Sequence, residues 1–124
     1  MEPNKVTPAE PLLEVSHLSI QFGGLKAVTD FNLTMNKNDL FGVIGPNGAG
    51  KTTVFNMLTG IYRPSEGRIV FDGLDLTEKK AHEFTAAGIA RTFQNIKLFN
   101  NLTVIDNIKI ANHLQVSYGL RSAV

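Results

Sequence analysis

The segment Gly45-Pro46-Asn47-Gly48-Ala49-Gly50-Lys51-Thr52-Thr53 constrains this chain more than any other feature of its sequence. Glycine, four open positions, then Gly-Lys-Thr is the pattern of a loop whose backbone wraps an anion. Glycines admit positive φ and let the main chain close on a phosphate with no Cβ in the way. Successive N–H groups then point inward as an anion nest, at the positive end of the helix that follows. Lys51 is placed for the β- and γ-phosphates of a nucleotide, and the Thr52 hydroxyl for a Mg2+ ion held by them. The pattern requires a strand before it and a helix after it. Leu40-Phe41-Gly42-Val43-Ile44 is a nearly continuous apolar run, as expected of a parallel strand buried on both faces. The residues from Lys51 through Leu58 read as a helix that stops at Gly60. A chance match is expected in fewer than about one in a hundred chains of this composition, and the required context lowers that further.

The rest of the chain supplies the frame. Residues 1–11 hold Pro3, Pro8 and Pro11 and read as a flexible leader. Leu13, Val15, Leu18, Ile20 and Phe22 alternate with polar residues apart from a slip near His17, which predicts a bulged strand. Gly23-Gly24 is a turn, and Phe31, Leu33 and Met35 predict a half-buried antiparallel strand that ends at the turn 36–39. Arg68 to Phe71 is a short strand closed by Asp72-Gly73. Its apolar run before an Asp mimics a Mg2+-holding motif, but the flanking glycines mark it as a hairpin strand. Thr77 is a candidate cap for a helix running to about Ala87, with Gly88 just beyond it. Ile89 to Phe93 reads as another short strand. Thr103-Val104-Ile105-Asp106 has the form of a capping box, and Val104, Ile108 and Ala111 line one face of a last helix.

Composition narrows the partners. The 124 residues carry a formal net charge of +1, which removes the electrostatic footprint of a dedicated nucleic-acid binder. With no cysteine, disulfides and thiolate metal sites are excluded. His17, His82 and His113 lie at no spacing that makes a metal site. No apolar run reaches membrane-spanning length, and the first residues lack the apolar core of a secretory signal.

A phosphate loop by itself leaves kinases, GTPases and transport ATPases open. Its surroundings are more specific. The loop is followed by Phe55-Asn56-Met57-Leu58-Thr59-Gly60 and Pro64-Ser65-Glu66-Gly67, then by Arg91-Thr92-Phe93-Gln94 ahead of Leu98-Phe99 and Leu102-Thr103-Val104. From about residue 12 to residue 116 the chain resembles the ATP-binding-cassette (ABC) ATPases. With Phe22-Gly23-Gly24-Leu25-Lys26-Ala27-Val28 it looks most like those of branched-chain amino-acid importers, with urea-type importers next. The resemblance implies an α/β fold, a P-loop NTPase core of parallel sheet and helices with an N-terminal antiparallel β-subdomain. Residues 12–124 would form the N-terminal part of the nucleotide-binding domain. It implies ATP and Mg2+ as ligands. Gly45 to Thr53 would hold the phosphates, with Lys51 catalytic and Thr52 a metal ligand. Phe22 would stack on adenine with Val28 packed beside it, although Tyr is the commoner aromatic there. Gln94 would touch both Mg2+ and the attacking water, a catalytic and metal-binding role. Ile96, Leu98 and Phe99 fall either in a core or where the family's ATPase meets its permease. Asp106 stands where the pattern usually has Glu, and either acid serves the capping box.

The implied partners are transmembrane permease subunits and a second cassette ATPase in a head-to-tail dimer, on the inner face of the cell membrane. The family's second acidic strand motif with its Glu, its switch His and its Leu-Ser-Gly-Gly-Gln-type signature are not found in these residues. The expectation is therefore a domain truncated before the signature, poorly stable by itself and negligible as an ATPase. A nucleotide-binding chain without turnover, the ATPase of another small-solute importer, and a soluble phosphate-loop kinase or GTPase remain alternatives. Against the GTPase, no guanine-selecting Asn-Lys-x-Asp occurs.

Overall fold

The computed structural model describes residues 10–93, 95 and 97–113. The chain divides into two compact units, one up to Ala90 and one from Arg91 onward. The first is built on β1 (Leu13–Phe22) and β2 (Leu25–Met35), an antiparallel hairpin turned at Gly23-Gly24, with β3 (Glu66–Phe71) antiparallel on the other side of β1. The short β4 (Leu74–Asp75) closes the order β2-β1-β3-β4. Between β2 and β3 lie the phosphate loop and helix α1 (Lys51–Leu58), and after β4 comes helix α2 (Ala81–Ala87).

The expected slip in β1 is a bulge. His17 and its cross-strand neighbour Asp30 both adopt positive φ, at 51° and 53°, and the pairing register shifts between Val15 and Leu18. Asn32 and Ser19 hold the distortion: the His17 N–H donates to Asn32 Oδ1 at 2.8 Å, and the Asp30 N–H to Ser19 Oγ at 2.9 Å. The extra residue turns Leu18 onto the same face as Val15 and Ile20. These three join Ile69 of β3, Met57 of α1, Leu76, and Phe84 of α2 in the buried core. The sheet thus presents one face to two helices, and α1 is anchored through Val54 and Met57, one turn apart.

β3 and β4 form the hairpin foreseen for Ile69–Asp72, with Asp72 and Gly73 in the left-handed region. The Asp72 N–H donates to the Leu12 carbonyl, so this Asp ends a hairpin strand.

Three sequence expectations are corrected. Thr77 does not cap α2. Its hydroxyl accepts the Ile69 N–H and donates to Asp75, and the helix begins four residues later at Ala81, with Lys80 as its cap, whose N–H donates to Glu83 at 2.8 Å. Residues 89–93 are not a strand. Leu40–Ile44 is not one either: it is unpaired, and Leu40 and Ile44 are each 97% exposed. A strand exists only through its neighbours, and among the described residues no parallel neighbour is available. The sheet that is observed is the antiparallel one.

In the second unit, α3 (Val104–Ala111) starts as the capping box predicts, with Thr103 Oγ1 accepting the Asp106 N–H. The Asn107 side chain staples the preceding turn to this helix: it accepts the Phe99 N–H at 3.0 Å and donates to the Thr103 carbonyl at 3.0 Å. Leu98, Phe99, Val104 and Ile108 are exposed, so none is a core residue here. Among the described residues no helix is long and apolar enough to cross a membrane.

Candidate nucleotide site

The phosphate loop lies directly behind β2, and Gly50 is the point of contact. It has φ 92°, and a Cβ there would stand 2.7 Å from the Ala27 carbonyl oxygen and 3.2 Å from Val28 Cγ2. Only a residue without a side chain lets the loop approach the strand this closely in this conformation. Gly50 also caps α1, and the first intrahelical bond is Val54 N–H to the Gly50 carbonyl at 2.9 Å. The amides of Lys51, Thr52 and Thr53 precede that bond and have no acceptor within the helix, which leaves the positive end of α1 open to an anion. Within the loop the Ala49 N–H donates to the Pro46 carbonyl at 3.2 Å, and the Lys51 ammonium donates to the carbonyls of Gly45 and Pro46, the latter at 2.7 Å.

A cleft of about 450 Å³ opens over this helix end. Asn47, Gly48, Gly50, Lys51, Thr52 and Thr53 form one wall, and Phe22, Leu25, Lys26 and Ala27 the other. The wall residues include two lysines and no carboxylate, so the electrostatics suit a polyanion. Phe22 is 44% exposed at the rim, and its ring meets that of Tyr62 edge to face, with centroids 5.2 Å apart. The cleft has room for a nucleotide, with a ring at one end and amides, an ammonium and hydroxyls at the other.

The residues expected from sequence sort into four groups. Phe22, Asn47, Gly48, Gly50, Lys51, Thr52 and Thr53 converge on the cleft. Gly45, Pro46 and Ala49 shape the loop behind it through the bonds above. Val28 packs against the core and stands behind Gly50 instead of lining the cleft. Gln94 and Ile96 lie outside the described residues. Leu25, Lys26 and Ala27 were not singled out by sequence, although the two-residue turn after Phe22 was the legible signal, since it pairs Phe22 with Leu25. Tyr62 had no such signal, because the turn after α1 puts it there.

A second surface cleft, lined by Arg68, Asp75, Thr77, Glu78 and Lys79 among others, differs in charge. Asp75 there is held down to about 2, first by the Thr77 hydroxyl and N–H and then by Arg68 at 2.7 Å. The cleft's other two charges are paired as well, Glu78 with Arg63 and Lys79 with Glu83. Elsewhere, His17 Nδ1 meets Asp30 Oδ1 at 2.7 Å, and hydrogen bonds from His17 and Asn32 hold the Asp30 carboxyl below its ordinary range. Among the described residues no group of three His, Asp or Glu side chains could hold a metal. The Thr52 hydroxyl is a hard-oxygen donor, suited to Mg2+ that takes its other ligands from phosphates and water.

The glycine-rich loop opening directly into α1 is the part of a phosphate-loop site that these residues form, without the strand expected before it. Residues 28–123 match the ABC transporter family, and the chain belongs to that family. It is similar to the high-affinity branched-chain amino acid transport ATP-binding protein BraF of Pseudomonas aeruginosa, with 47% identity over 85% of this chain and 41% of the relative. It is also similar to LivG of Escherichia coli K12, a protein of the same description, with 44% identity over 94% of this chain and 46% of the relative. Among solved structures, a nucleotide-free ATP-binding cassette from an ABC transporter superposes with a TM-score of 0.73 at 35% identity, covering 90% of this chain and 44% of that one. The ADP conformation of the cassette MJ1267 gives the same figures. The chain spans less than half the length of these relatives.

Proposed function

We propose that this chain is the nucleotide-binding part of the ATPase subunit of an import system for branched-chain amino acids. The observation that carries the reading is the convergence, on one cleft with no carboxylate among its described lining residues, of the open N-terminus of α1, Lys51, Thr52, Thr53 and Phe22. Triphosphate oxygens accept hydrogen bonds from the loop and first-turn amides, and the helix dipole favours their charge. Lys51 neutralises the β- and γ-phosphates once its ammonium leaves the Gly45 and Pro46 carbonyls. Thr52 gives one hydroxyl ligand to Mg2+, which supplies charge neutralisation on the transferring phosphate when bound. Phe22 offers a ring face to adenine, which contributes affinity with little base discrimination. Gln94 is assigned to the metal and the attacking water by resemblance to the family.

The cargo assignment rests on the likeness to BraF and LivG, both described as branched-chain amino acid transport ATP-binding proteins. The permease partners, the head-to-tail pairing with a second cassette and the position on the inner membrane face belong to the same proposal. A titration with a fluorescent ATP analogue tests the site: Lys51→Ala abolishes binding, and unchanged binding removes the assignment. Leucine uptake by cells that depend on the protein tests the cargo, since the same substitution stops uptake if the reading is correct.

A further inference from the structure

The geometry points to Tyr62 as the positioning residue that holds the Phe22 ring for a nucleotide base, so that base recognition is tied to the far end of the helix whose start cradles the phosphates. The inference rests on the nucleotide site proposed above. Phe22 is the last residue of β1, followed directly by the Gly23-Gly24 turn, and 44% of it is exposed. A half-exposed phenyl group at a strand end moves among its rotamers unless a neighbour restricts it. Tyr62 is that neighbour. The rings lie 5.2 Å apart at 71°, within the range in which edge-to-face pairs attract. In either sense of that contact at least one face of Phe22 stays clear of Tyr62, and Phe22 lines the cleft.

Tyr62 is itself fixed. The amides of Ile61 and Tyr62 both donate to the Asn56 carbonyl of α1, at 2.8 and 3.0 Å. The chain reverses at Gly60, where φ is 70° and a Cβ would stand 2.6 Å from Phe84 Cδ2 and 2.9 Å from Ala81 Cα. The reversal is therefore locked against α2 and presents Tyr62 at a fixed place relative to α1. One rigid element thus sets both the phosphate donors at its start and, through Tyr62, the ring at the opposite wall.

Calorimetric titration of the purified protein with MgATP and, separately, with inorganic tripolyphosphate and Mg2+ separates the two contributions. Tyr62→Ala weakens ATP about three- to tenfold and leaves tripolyphosphate within about twofold. Tyr62→Phe keeps the ring and restores ATP binding. Phe22→Ala weakens ATP alone, and adding Tyr62→Ala to it costs nothing more, because the ring to be positioned has gone. Should Tyr62→Ala fail to fold, Tyr62→Leu fills comparable volume without a ring and carries the same expectation. The inference is overturned if ATP binding is indifferent to Tyr62→Ala or Tyr62→Leu, or if both ligands weaken equally, as a merely structural role would have it. If the unaltered protein binds neither ligand, the nucleotide reading fails and takes this inference with it.

Discussion

Gly50 shows how much of the candidate site depends on a missing side chain. With φ 92° and the Ala27 oxygen 2.7 Å from any Cβ, Gly50→Ala must either twist the loop or push it off β2. Strain of this kind costs about 1–3 kcal/mol, enough to weaken nucleotide binding about tenfold or more if the loop distorts. A binding titration checks this, and Gly48→Ala is a useful comparison because a Cβ there meets nothing within 4 Å although its φ is also positive. Asp75 makes a prediction about pH. Its folded value of about 2 lies below the ordinary 3.8, so its contribution to stability is present above about pH 4 and is lost as pH falls toward 2. Its side chain is 45% exposed, and with solvent screening the effect is about 1 kcal/mol or less. Urea denaturation at pH 5 and near pH 2.5 should show Asp75→Asn losing less stability between the two than the unaltered protein.

At the scale of elements, the bulge in β1 and the segment 40–44 make opposite cases. The slip at His17 was legible because alternation has a strict period of two, and any break in it must be absorbed by an extra residue. The structure places Leu18 fully buried as a result. Leu18→Ala should cost about 2–5 kcal/mol in denaturant unfolding. Leu40–Ile44 carried the stronger apolar signal and is the one that differs. A continuous apolar run specifies burial on two faces, but the covering elements must be supplied by other parts of a fold, and nothing in the run itself shows whether they are present. Leu40→Ala and Ile44→Ala are therefore expected to change stability by less than about 0.5 kcal/mol in this chain. Helix starts were legible only where the cap had no competing bond. Thr103 was free to cap α3, whereas the β3–β4 hairpin takes the Thr77 hydroxyl.

For the whole molecule, the buried core among the described residues is small and lies in the first unit, while Leu40, Phe41, Ile44, Leu98, Phe99, Val104 and Ile108 are exposed. Exposed apolar surface on that scale favours association and weakens cooperativity. The 124-residue chain should bind a hydrophobic dye at neutral pH and unfold over a broad thermal range. A sharp unfolding transition without dye binding would contradict that. The phosphate wall of the candidate site was readable because Gly45, Gly50, Lys51 and Thr52 each have a chemical duty fixed by spacing. The opposite wall was only partly readable, since Lys26 and Ala27 reach it through a hairpin register, and Tyr62 meets Phe22 from a helix-ending turn. Nucleotide phosphates are expected to bind at the start of α1. The most direct test of this is the amide NMR spectrum of isotope-labelled protein during titration with MgATP. The expected result is a saturable shift of the Gly48, Gly50, Lys51, Thr52 and Thr53 amides, abolished by Lys51→Ala. No shift at these amides, or shifts centred instead on Arg68 to Lys79, would contradict it.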